Sequence, residues 1–101
     1  MMQPSELASR EFFKKLSALP FVEAIWLYGS RARGDADDWS DYDLAIICPM
    51  ATTEEWYIIT QIAAHAGLLV KVECVRYDTI QDDIFREQIN RYHEVLYDKR
   101  G

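Results

Sequence analysis

The chain is poor in cysteine, with only Cys48 and Cys74, far apart and each inside an apolar run. No C-x-x-C or Cys/His pair at zinc-ligand spacing occurs, which argues against a disulfide framework and a zinc site and leaves two small thiols in a reducing environment. Basic side chains are also few, 11 against 17 acidic, for a formal charge of −6. Non-specific nucleic-acid binding depends on Lys and Arg neutralising phosphates, so no direct nucleic-acid partner is expected. Apolar runs of ~20 residues, the length of a membrane span, are absent. The opening MMQPSELASREFF lacks the basic-then-apolar order of a signal peptide. No membrane association and a cytoplasmic location are the expectations. Internal repeats, low-complexity tracts and linkers are missing too. The acidic run Asp35-Ala36-Asp37-Asp38 does not begin an EF-hand: its sixth residue is Ser40 rather than Gly, and its twelfth is Ile46 rather than Glu.

What remains is a core-forming composition. Half of the 101 residues are apolar and 13% are aromatic, which suits one domain over residues 1–101. Pro4-Ser5-Glu6 opens a helix carrying Leu7, Phe12, Phe13 and Leu16, and Pro20 ends it. Residues 22–28 and 41–48 read as buried strands, with one helical turn over Ser30–Arg33 between them and Gly34 as its stop. Thr52 or Thr53 caps a helix with Trp56, Ile59, Ala63 and Ala66 on one face. Residues 68–75 form a third strand, with Lys71 and Glu73 on one face and Val70, Val72 and Cys74 on the other. Thr79 and Asp82 suggest a capping box for a helix to about residue 93, and Val95-Leu96-Tyr97 a short edge strand. The expected fold is α/β (α+β): a small mixed sheet with helices mainly on one face and the other face partly open.

The informative stretch is Tyr28–Leu44, YGSRARGDADDWSDYDL, lying between the first two strands. Gly29 permits a tight turn and close backbone approach, because it has no Cβ to block a phosphate. Ser30 adds a hydroxyl, and backbone N–H groups open the turn that follows. Of Arg31 and Arg33, one is expected to face inward toward phosphate, with Arg33 favoured. Asp41 and Asp43 are two apart, so on a strand they share a face, ~6–7 Å apart along the chain. Paired carboxylates on one surface suit Mg²⁺, which takes oxygen ligands from one or two acids together with substrate phosphates. If the third strand lies beside the second, Glu73 joins them, as a third ligand or as the acceptor of a proton. A phosphate cradle facing acids points to chemistry on a nucleoside triphosphate.

Gly-Ser-x10-Asp-x-Asp, here GSRARG…SDYDL, resembles the nucleotidyltransferase superfamily of DNA polymerase β type. The short chain and its Val95-Leu96-Tyr97 ending are similar to the minimal nucleotidyltransferase branch, the MntA-like antitoxins of HEPN/MNT toxin–antitoxin pairs. The resemblance covers residues 21–97. It implies that Gly29 and Ser30 bind the triphosphate of ATP, beside the Arg33 favoured above, that Asp41 and Asp43 hold Mg²⁺, two ions in all, and that a third strand carboxylate, here Glu73, joins them in metal binding and catalysis. The third carboxylate of the family is usually Asp, where this chain has Glu73. The implied partner is a HEPN-domain ribonuclease toxin, inactivated by transfer of AMP onto a tyrosine. A length of 101 residues suggests that the acceptor comes from a bound protein rather than a second domain. Two other functions compete: a vestigial site in an antitoxin that acts by binding alone, and transfer to a small molecule of aminoglycoside type. Arg86 and His93 are spaced like the Arg-x4-6-His of HEPN ribonucleases, but that fold is all-helical, so a solvated helix face is expected for both. Trp39 is expected to contact adenine, to contact a partner protein, or to pack within its loop.

Overall fold

The computed structural model describes residues 4–101. In chain order these form α1 (Pro4–Ala8), α2 (Glu11–Ala18), β1 (Ala24–Tyr28), α3 (Ser30–Arg33), β2 (Tyr42–Ile47), α4 (Thr53–Ala64), β3 (Val72–Arg76), a 3₁₀ turn (Tyr77–Thr79), α5 (Asp83–Arg91) and β4 (Glu94–Asp98). The four strands make one mixed sheet in the order β3-β2-β1-β4. β1 runs antiparallel to both neighbours, while β2 and β3 are parallel. That last pairing needs a crossover, and α4 supplies it.

Strand alternation sorts the side chains. Ile25 and Leu27 of β1, Leu44 and Ile46 of β2 and Val72 of β3 enter the main core, where Phe12, Phe13 and Leu16 of α2 and Ile59 of α4 meet them. Trp26, Tyr28, Asp43, Glu73 and Val75 therefore take the opposite face. α5 and the residues just after it lie across part of that second face through aromatic contacts: Phe85 of α5 meets Tyr28 edge-on at 5.8 Å, and His93, two residues past the helix, stacks on Trp26 at 4.1 Å. The other helices cover the first face, as the patterning led us to expect.

Local chemistry explains the boundaries. Gly29 and Gly34 bracket α3 at φ +75° and +86°, where a Cβ would be strained. The Thr52 hydroxyl accepts from Glu55 N–H at 3.1 Å while the Glu55 carboxylate accepts from Thr52 N–H at 2.8 Å, a complete capping box.

Several expectations need correction. The first helix is two helices, because the Ser9 hydroxyl donates to the Glu6 carbonyl at 2.6 Å and Arg10 turns extended before α2 starts. Thr79 does not cap α5; Asp82 does, accepting from Ile84 and Phe85 N–H, while the Thr79 hydroxyl donates to the Arg76 carbonyl. β3 begins at Val72 rather than residue 68, since residues 69 and 70 bend. Arg86 and His93 are not a solvated face: both are half-buried, His93 against Trp26 and Arg86 donating to the Ile80 carbonyl.

Candidate active site

The site lies where three strands present one row of side chains. Tyr28 of β1 is the register partner of Asp43 in β2, and Asp43 is the partner of Glu73 in β3. Opposite residues in neighbouring strands point to the same face, so the phenol and the two carboxylates stand side by side. Asp41 sits one residue ahead of β2 rather than within it. The amide of the next residue, Tyr42, donates to the Lys71 carbonyl at 2.9 Å and so ties this entry to the chain preceding β3.

Gly29 is fitted against Asp43. A β-carbon there would collide with the Asp43 carboxylate, so the turn and the acid are built for each other. The Gly29 carbonyl accepts from Ala32 and Arg33 N–H, both at 3.1 Å, which forms the first turn of α3 directly from the glycine. The glycine thus serves two needs at once: a left-handed φ and the absence of a side chain.

Charge is concentrated here. Burial, together with the negative charges of Glu73 and Asp41, raises the Asp43 carboxyl to about 6, and Arg33 pulls only slightly the other way. Burial and the same acids, Asp43 and Glu73, push the Tyr28 phenol well above its usual range. An anion-rich corner that cannot readily ionise in full is one that a cation would relieve, and its carboxylate oxygens are the donors Mg²⁺ prefers. In this respect the residues present fit the ion. Yet among the described residues no three His, Cys, Asp or Glu side chains are grouped to hold one metal. Glu73 is instead paired with Lys71, Nζ to Oε1 at 2.8 Å.

The two arginines of α3 have separate uses. Arg31 donates to the Ser40 carbonyl at 2.7 and 3.0 Å, and its guanidinium lies 4.0 Å above the Tyr42 ring. It braces the 35–40 loop from the core side. Arg33 is exposed, pairs with Asp35 at 3.2 Å, and lines a cavity of about 360 Å³ with Tyr28, Gly29, Phe85, Gln88, Ile89 and Tyr92. It is the arginine on the Asp43 side. Trp39, 75% exposed, lines a different hollow beside Arg10, Arg31 and Leu69.

The sequence put Lys71 and Glu73 on one face but did not foresee their ion pair, although the spacing of two residues was its signal. The cover given by Phe85 of α5 and by His93 just after it had no signal, because it depends on where α5 docks.

Comparison with known proteins agrees with the geometry. The model of the family described as polymerase beta, nucleotidyltransferase, matches residues 11–100. No curated protein matches. Among solved structures, a toxin–antitoxin with AMP-PNP superposes with a TM-score of 0.67 at 19% identity, covering 89% of this chain and 70% of that one. A mutant of the toxin–antitoxin MntA-HpeT gives 0.67 at 14% identity, covering 98% and 75%. A candidate nucleotidyltransferase from Sulfolobus solfataricus gives 0.57 at 18% identity, covering 99% and 92%. At these identities the likeness is one of fold.

Proposed function

This chain belongs to the polymerase β nucleotidyltransferase family, and we propose that it is an antitoxin transferring AMP from ATP to a tyrosine of a partner HEPN ribonuclease toxin. The observation that carries this reading is the fit of Gly29 against Asp43, with Glu73 in register beside them. A phosphate cradle and paired acids on one sheet face are what a nucleotidyl transfer requires. The toxin–antitoxin pairs among the structural neighbours, one with AMP-PNP, support the choice of partner and of nucleotide.

In this reading Gly29, Ser30 and Arg33 hold the triphosphate, with Arg33 turning from Asp35 toward phosphate oxygens. Asp41, Asp43 and Glu73 would hold Mg²⁺, which when bound neutralises charge on the entering and departing oxygens. The acceptor hydroxyl attacks the α-phosphorus in line. A new P–O bond forms to the tyrosine oxygen, the bond to the β-phosphate bridging oxygen breaks, and pyrophosphate leaves. The hydroxyl proton passes to Glu73.

The test uses the partner toxin with Mg²⁺-ATP and intact-mass spectrometry. The toxin should gain one or more AMP units, and Asp41→Asn with Asp43→Asn should abolish the gain while leaving co-purification intact. A second reading, neutralisation by contact alone, is favoured by one fact: the Glu73 carboxylate is already neutralised by Lys71. A toxin that is silenced on mixing without any change of mass would establish it.

A further inference from the structure

We propose that Lys71 is a built-in counter-ion of Glu73, so that a metal ion engages Glu73 only by displacing it. The inference rests on the metal-site reading above and concerns how that site is controlled. Two observations meet in it. Glu73 is the in-register neighbour of Asp43 on the same sheet face. The Lys71 ammonium already pairs with its carboxylate, 2.8 Å from Oε1.

Lys71 lies one residue before β3 and two before Glu73, so the pair forms or breaks by side-chain motion alone. Lys71 is 69% and Glu73 45% exposed, which makes the pair a weak and exchangeable one. A lysine carries its charge on a flexible four-carbon stem, so it swings aside at little cost where an arginine fork would be held more firmly. The consequence is a site that binds a bare divalent ion poorly. A triphosphate supplies the extra oxygen ligands that make displacement of Lys71 favourable, so ion and nucleotide enter together.

Mn²⁺ alone, followed by the loss of its free-ion paramagnetic signal, reports this without any turnover. Lys71→Met should tighten Mn²⁺ binding about two- to five-fold, the range set by an exposed ion pair. Lys71→Arg should leave binding at the wild-type level or weaker. In a Glu73→Gln background the gain from Lys71→Met should vanish, because Lys71 acts through that carboxylate. An equal gain in both backgrounds would overturn the proposal in favour of unspecific electrostatics, and so would no gain in either. Asp43→Asn is the separate control: if it leaves Mn²⁺ affinity unchanged, the metal site itself is wrong, whatever Lys71 does.

Discussion

At the scale of single residues, Gly29 and Asp43 constrain each other. Gly29→Ala adds a carbon into the Asp43 carboxylate and asks alanine to adopt φ +75°. It should cost about 1–3 kcal/mol of folding free energy, read as a lowered urea midpoint at unchanged slope. Removing the carboxylate in Gly29→Ala/Asp43→Gly should recover the steric part and leave the backbone part. Asp43 also predicts a pH dependence. Its carboxyl holds a proton more tightly folded than unfolded, with a folded value of about 6 against an ordinary 3.8. The stability it contributes is therefore full below the ordinary value and is lost as pH rises through about 6. Metal-free wild type should become less stable across that window relative to Asp43→Asn, and the difference should shrink with Mg²⁺. Chemical denaturation at half-unit pH steps would test it; parallel curves for the two proteins would rule it out.

At the scale of elements, α4 and α5 are held in different ways. α4 has a reciprocal cap, so Thr52→Ala should cost about 1 kcal/mol and Glu55→Ala less. α5 and the turn after it lie over the site face by aromatic contact, Phe85 of the helix on Tyr28 and His93 beyond it on Trp26. Trp26→Leu should lower the opening free energy of residues 83–93 by about 1 kcal/mol, the size of one or two aromatic pairs. Hydrogen exchange would show faster amides in α5 and unchanged ones in β1 and β2. Uniform acceleration throughout the chain would mean that Trp26 supports the whole core instead. The capping box was legible in the sequence because it joins residues three apart. The seat of α5 was not, because nothing in Arg86–His93 signals that the histidine packs on a strand sixty-seven positions away.

At the scale of the molecule, an acidic corner that a cation relieves should couple ligand to folding. Mg²⁺-ATP at a hundred times its Kd should stabilise the fold by about 2.7 kcal/mol, seen as a rise in Tm of about 10–20 °C. Asp41→Asn with Asp43→Asn should remove most of that rise. A wild-type melt that ignores saturating Mg²⁺-ATP would favour the binding antitoxin.

The sequence by itself determined the order of the strands along the chain, the Gly29-Ser30 turn, the stop at Gly34 and the two-residue spacing that lets Lys71 reach Glu73. These follow from backbone rules acting over a few residues. It also determined the conditional statement that Glu73 would join Asp43 if β3 lay beside β2. Only the tertiary structure met that condition, through the parallel β2–β3 register that sets Asp43 opposite Glu73. It likewise decided that Arg31 braces a loop while Arg33 lines the cavity, and that His93, just past α5, packs on Trp26. Those outcomes depend on contacts between segments distant in the chain, and hydrophobic burial chooses among them by the shape of the assembled core, which no local pattern encodes.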